Sequence, residues 1–241
     1  MIVLENISKR FDETTVLDRV QAVFPEGQTS VILGASGHGK TVLLKTMCGL
    51  LRADSGRALF DGLDVQALGD KERYAFWERV GFLFQDNALI DSLSVGENIG
   101  LYLRYRAGWE AAEVRRRVRE LLEFVGLEGW ESALPEELSW GMKKRAALAR
   151  TLAKDPSFLL FDEPTSGIDD RNWTVITGLL ADTLRRRRAT AVIATHDLRL
   201  TRELADEVVF LRKGRVAFSG PKARISEKAL VELYRGAVDA D

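Results

Sequence analysis

Gly34-Ala35-Ser36-Gly37-His38-Gly39-Lys40-Thr41 fits the pattern G-x-x-x-x-G-K-[ST] at every fixed position, between the apolar runs Val31-Ile32-Leu33 and Val42-Leu43-Leu44. A strand, glycine-rich loop and helix in this order turn backbone N–H groups around an anion, and the dipole of the new helix adds positive character at the same point. Lys40 then reaches the β- and γ-phosphates of a nucleotide as a point charge, and the Thr41 hydroxyl sits on Mg²⁺. A glycine-rich turn that merely opens a helix has no need of Lys-Thr after its last glycine. A second chemical signal is Asp162-Glu163, which ends the apolar run Ser157-Phe158-Leu159-Leu160-Phe161. Two adjacent carboxylates on a buried strand are costly unless a cation or a proton-transfer role compensates. Mg²⁺ beside the phosphate loop would compensate for Asp162 and leave Glu163 to polarise an attacking water; the alternative is a solvent-facing acidic turn. Gln85 and His196 close two further apolar runs, 80–84 and 190–195. Ligands of open α/β sheets bind outside the carboxyl ends of the strands, where all these residues are expected. A lone histidine is more often structural, but the end of a core strand makes His196 a candidate γ-phosphate contact.

The elements that must position these groups follow from periodicity. Residues 2–33 alternate short apolar and polar runs, broken at Phe11-Asp12-Glu13-Thr14-Thr15 and Pro25-Glu26-Gly27, which predicts a small antiparallel sheet feeding the strand before the loop. Phe11, near the first turn, offers an aromatic face to a purine, although an aromatic in a loop more often packs than binds. Helical spacing of Leu43, Leu44, Met47 and Leu50 predicts a helix over 41–51, and Asp61-Gly62 marks a hairpin between 57–60 and 63–65. A charged helix over 70–79 precedes the strand that ends on Gln85. From Asp86 to about Pro156 the pattern is helical, clearest over 94–106, 110–125 and 141–153, which predicts a helical subdomain inserted into an α/β core. Arg104, Arg106, Arg115, Arg116, Arg117 and Arg119 make part of it basic, as expected of a solvated face or, alternatively, of a headgroup- or partner-facing patch. A helix over 171–186 runs into Arg185-Arg186-Arg187-Arg188, cations that its C-terminal dipole favours. Two closing strands and a helix near 226–235 complete the chain.

At 241 residues, with 46% hydrophobic and 29% charged, the sequence has ample material for a buried core. A net charge of -1 gives no general reason to bind nucleic acid. The single cysteine, Cys48, forms no internal disulfide and reads as a packed thiol, compatible with a cytosolic compartment. No segment approaches the about 18 uninterrupted apolar residues of a membrane span. Met1-Ile2-Val3-Leu4-Glu5-Asn6 lacks the basic start and apolar core of a signal peptide, so any membrane role is expected to run through a partner.

Leu138-Ser139-Trp140-Gly141-Met142, just before Lys143-Lys144-Arg145, resembles the Leu-Ser-Gly-Gly-Gln signature of ABC-type ATPases, and the other elements occur in that family's order across almost the whole chain. The resemblance implies a P-loop NTPase with a RecA-like α/β core, an N-terminal antiparallel β subdomain and an inserted α-helical subdomain. It implies one domain over 1–241, with the core in 1–85 and 157–220, the helical subdomain in 86–156 and a helical tail in 221–241. It makes Phe11 the adenine-stacking aromatic and Gly34, Ala35, Ser36, Gly37, His38, Gly39, Lys40, Thr41 and Val42 the Walker A cradle for ATP. Gln85 becomes the Q-loop glutamine, Asp162 the Walker B aspartate on Mg²⁺ together with Thr41 and Gln85, and Glu163 the catalytic glutamate. Asp169 falls in the D-loop and His196 is the switch histidine. His38 takes a variable position and is expected to be exposed.

In this family two such domains face each other head to tail, so Ser139 and Gly141 would touch the γ-phosphate held by the Walker A loop of a second copy, a helix N-terminus facing phosphate. The implied partners are a second ATPase subunit in a homodimer and two transmembrane permease subunits docked on the segment after Gln85, with no nucleic acid. The implied place is the inner face of the cell membrane. The segments 84–89, 93–99 and 141–150 look most like the ATPases of Mla-type phospholipid transporters that work with MCE lipid-binding proteins. Trp140 stands where the family usually has a glycine, and three readings stay open: tolerated variation, a slower site, or a site that regulates. The ATPase of another importer-like system, a non-transport ABC ATPase and a slow or nucleotide-gated regulatory subunit are the rival functions; the non-transport class usually carries tandem cassettes or long coiled-coil inserts, and neither is read in this sequence.

Overall fold

The computed structural model describes residues 1–105, 108–187 and 189–238. In chain order the elements begin with strands β1 (Ile2–Phe11), β2 (Thr14–Phe24) and β3 (Thr29–Leu33), helix α1 (Lys40–Met47), β4 (Ser55–Phe60), β5 (Leu63–Asp64), α2 (Asp70–Arg79) and β6 (Val80–Leu83). Helices α3 (Val95–Tyr105), α4 (Ala111–Phe124) and α5 (Trp140–Leu152) follow. The chain then runs through β7 (Phe158–Asp162), α6 (Asp170–Arg187), β8 (Thr190–Thr195), α7 (Leu198–Leu204), β9 (Glu207–Arg212), β10 (Arg215–Pro221) and α8 (Glu227–Val238). Two compact units emerge: Met1–Trp77 with Arg188–Asp241, and Glu78–Arg187.

In the first unit, β2-β1-β4-β5 form an antiparallel sheet. The β1–β2 turn is only Asp12-Glu13, since Phe11 already pairs with Thr14. The β4–β5 turn places Asp61 at φ 50° and Gly62 at φ 83°, the doubly left-handed geometry that matches the right-handed twist of a hairpin. Beside this sheet, β3 is buried along its whole length and runs parallel to β8 and β9, with β10 antiparallel on β9. A strand buried at every residue, apolar over 31–33, with parallel neighbours on both sides is what a doubly covered sheet centre requires. Helix α1 packs on β8 and β2. It stops at Met47, short of the predicted Leu51, because the chain turns left-handed at Gly49 (φ 76°). Cys48 is buried there, as expected, and desolvation pushes its thiol up to about 12.

In the second unit, β6 and β7 pair in parallel, with Val80 opposite Phe158 and Leu83 opposite Phe161. Val95, Ile99 and Leu103 on α3 and Val114, Val118, Leu121 and Leu122 on α4 are buried, forming the facing stripes of two packed helices. Contact this close needs a missing side chain: a Cβ on Gly100 would lie 2.9 Å from Val114 Cγ1. The basic face divides. Arg115, Arg116 and Arg119 are exposed, whereas Arg117 donates to the Leu152 and Ala153 carbonyls, 3.2 Å each, at the end of α5. Arg106 and Arg188 lie outside the described residues.

Candidate functional site

In the first unit, the end of β3 releases the loop 34–41 beside the end of β8, because Leu33 pairs with Thr195. Gly34 and His196 therefore leave neighbouring strands at the same level, and His196 is exposed. Gly34 has no alternative: a Cβ there would come within 2.4 Å of the Leu211 carbonyl oxygen. Gly37 and Gly39 sit at φ 79° and 94°, and Gly39 also backs onto the Val16 carbonyl of β2. The start of β2 is thus against the loop, and the same hairpin carries Phe11, 43% exposed, with Lys9 Nζ 5.4 Å from its ring centroid. Ser36 and Gly37 are exposed at the loop tip, while Gly34, Ala35, Gly39 and Lys40 are buried and Thr41 and Val42 are half-buried. His38 is buried at 4%, not exposed: its backbone N–H donates to Ala35 O and its carbonyl accepts from Gly214 N, which draw the residue inward.

Lys40 Nζ donates to the Ala35 carbonyl at 3.0 Å, so the ammonium lies back across its own loop. No side chain caps α1, whose N-cap is Gly39. The first-turn N–H groups of α1, the left-handed glycines and the folded-back ammonium make a concave cationic cradle. That donor set fits the phosphates of ATP.

In the second unit, Asp162 (1% exposed) and Glu163 (6%) are buried at the end of β7, and Gln85 is exposed just after β6. The β6–β7 register brings both strand ends level. Glu163 adopts φ 47°, a left-handed conformation uncommon for a residue with a side chain. Buried Lys144, which pattern reading passed over as part of a basic run, donates from Nζ to the backbone carbonyls of Gln85 (3.3 Å) and Glu163 (3.4 Å). Burial lowers its pKa, opposed by the charges of Glu163, Asp162 and Asp86. Among the described residues no group of three or more His, Cys, Asp and Glu side chains forms a metal cage. Within this unit, the side chains of Gln85 and Asp162 carry hard oxygen donors of the kind a divalent cation such as Mg²⁺ takes.

The signature segment occupies the start of α5. Ser139 is its exposed N-cap, with Oγ accepting from Met142 N at 3.3 Å. The Trp140 indole turns aside onto Gly167, its Nε1 3.2 Å from where that residue's Cβ would be. Gly141 is buried against Asn172, whose Oδ1 would lie 2.4 Å from an added Cβ. Asn172 is itself fixed by Asp169, whose carboxylate accepts from Asn172 N (2.8 Å) and Nδ2 (3.1 and 3.2 Å). Those hydrogen bonds hold Asp169 below the usual carboxylate range.

Residues 17–166 match the ABC transporter family. A protein of Mycobacterium leprae named "Probable ribonucleotide transport ATP-binding protein mkl" is 38% identical over 221 residues, covering 92% of this chain and 64% of the relative. The chain thus spans less than two thirds of that relative's length. The sulfate/thiosulfate import ATP-binding protein CysA of Burkholderia mallei is 40% identical over 244 residues, 99% of this chain and 68% of CysA. The dimeric, post-hydrolysis structure of the ATP-binding cassette MJ0796 bound to ADP and Pi superposes with a TM-score of 0.84 at 30% identity, covering 92% of this chain and 98% of that one. The α/β architecture with its antiparallel sheet and helical insertion is accordingly that of a P-loop NTPase.

Proposed function

The chain belongs to the ABC transporter family, and from that premise we propose that it is the ATP-hydrolysing subunit of a membrane transporter. The observation that carries this reading is the loop 34–41, closed by glycines onto an uncapped helix with Lys40 folded over it. When bound, ATP supplies the phosphoanhydride to be cleaved, and Mg²⁺ would supply positive charge against that of the phosphates. Phe11 would stack on the base, backbone amides of the loop 34–42 would bind the phosphates, and Thr41, Gln85 and Asp162 would hold the ion. Glu163 orients and polarises the water, and Lys40 and His196 stabilise charge that develops on the γ-phosphoryl oxygens. Asp169 fixes the segment beside Gly141. Glu163→Gln should keep ATP binding and lose about 10²-fold or more in kcat, as removal of a general base does. Hydrolysis at the wild-type rate would overturn the assignment.

Work at a membrane requires partners, because among the described residues no helix is long and apolar enough to cross one. A groove of about 580 Å³, to which Leu93 and Gly96 of the segment after Gln85 contribute together with Leu101, Tyr105, Trp109 and Val118, supports docking of one permease subunit per chain, two for a dimer, at the inner face of the cell membrane. The domain division follows the same reading: a core from 1–85 and 157–220, the helical subdomain in 86–156 and a tail from 221. Phospholipid is the proposed cargo, with an MCE-type protein as a further partner, on the strength of the segments 84–89, 93–99 and 141–150. The relatives named for ribonucleotide and sulfate/thiosulfate transport make cargo the part most in need of a direct test: isolation of the complex from detergent-solubilised membranes, followed by identification of its subunits and bound lipid. A slower, regulatory cassette is the second reading, supported by Trp140 seated on Gly167.

A further inference from the structure

We propose that Lys144 is a positioning residue that ties the signature helix to the backbone of both Gln85 and Glu163, and so sets the geometry from which Glu163 acts; this rests on the hydrolysis reading above. Three observations converge. The side chain is almost wholly buried, at 2% exposure, although a lysine ordinarily keeps its ammonium in water. Its Nζ spends its hydrogen bonds on two main-chain carbonyls from different strand ends, Gln85 at 3.3 Å and Glu163 at 3.4 Å, rather than on a carboxylate. One of those carbonyls belongs to a residue at φ 47°, where the backbone has to be held by its surroundings. Lys144 also links this point to the signature: it lies one turn along α5 from Trp140, and its Nζ is 5.6 Å from the indole ring centroid. A shift of α5 at Trp140 therefore reaches the Glu163 peptide through a single side chain. Burial alone does not account for the arrangement. An apolar residue of similar length would fill the space without desolvating a cation but would leave both carbonyls without this donor, so what the lysine adds lies in the two hydrogen bonds and not in packing.

The test uses the full chain with Lys144→Met, which keeps length and burial but loses the donors, and Lys144→Gln, which keeps an amide donor. In nucleotide-free protein, Lys144→Met should speed hydrogen exchange over 84–87 and 163–167 while α3 and α4 keep their protection. With ATP, its Kd should stay within about twofold of wild type while kcat falls about tenfold, and Lys144→Gln should lie between. The proposal is overturned if Lys144→Met matches wild type in both exchange and kcat. It is equally overturned if both variants raise exchange throughout 78–187, which marks a merely structural lysine. A wild-type chain that binds ATP but never hydrolyses it overturns the hydrolysis reading instead, and the exchange arm still decides whether Lys144 holds the two carbonyls.

Discussion

At the scale of single residues, the signature segment is tighter than its glycine suggests. Gly141 begins a helix, where alanine is ordinarily favoured over glycine by about 1 kcal/mol. Here an added methyl would meet Asn172 Oδ1 at 2.4 Å, and Asn172 cannot swing away without giving up its hydrogen bonds to Asp169. Overpacking of this kind costs about 1–3 kcal/mol, so Gly141→Ala should be net destabilising in urea, and Asn172→Ala in the same chain should recover much of the loss. Gly141→Ala at wild-type stability would show that Asn172 yields freely. Gly167 is confined in the same way by Trp140, whose indole Nε1 would lie 3.2 Å from an added Cβ.

At the scale of elements, the basic face of α4 separates capping from solvation. Arg117 supplies two charge-assisted hydrogen bonds to the last carbonyls of α5, groups that no helix can satisfy for itself. Arg117→Ala should therefore destabilise the protein by about 1–3 kcal/mol. Arg116→Ala and Arg119→Ala should stay within about 0.5 kcal/mol, since their side chains stand in water; denaturant melts of the three variants decide the matter. This also shows what could be read in advance. Composition and spacing place α2, β8, α3, α4 and α6 to within a residue or two, because helical stripes, charged runs and one unbroken buried strand leave little freedom. They also put Gln85, Asp162, Glu163 and His196 at strand ends. The seven-residue α7 went unnoticed because it is too short to show a stripe, yet Asp197 was a readable start signal: its carboxylate accepts from the backbone of Arg199 and Leu200. The burial of His38 is not legible in the sequence, because a loop position says nothing about Gly214, whose N–H donates to the His38 carbonyl from far along the chain. Lys144 hid in the run Lys143-Lys144-Arg145, although it falls on one helical face with Gly141, Leu148 and Thr151, all buried.

At the scale of the whole molecule, two helix N-termini are suited to an anion: α1, without a side-chain cap and reached through the exposed loop tip Ser36-Gly37, and α5, whose cap is the exposed Ser139 hydroxyl. They belong to different compact units. If two copies pair head to tail, as the family resemblance implies, each α5 would face the loop of the other copy, and phosphates at Lys40 of one chain would feel the dipole of its partner's signature helix. Complementation tests this directly. Lys40→Ala removes the phosphate-loop cation. Ser139→Asp keeps α5 capped, since aspartate is as good an N-cap as serine, but sets a carboxylate where phosphate would come. Each variant alone should hydrolyse almost no ATP. Mixed in equal amounts and allowed to exchange, about half the dimers pair one chain of each kind, and each such dimer rebuilds one of its two sites from an intact loop and an intact signature, giving about a quarter of wild-type turnover. A site contained in one chain predicts no recovery at all, because every chain in the mixture then carries a broken site. Recovery that disappears on dilution, as subunits separate, would tie the restored turnover to the paired state.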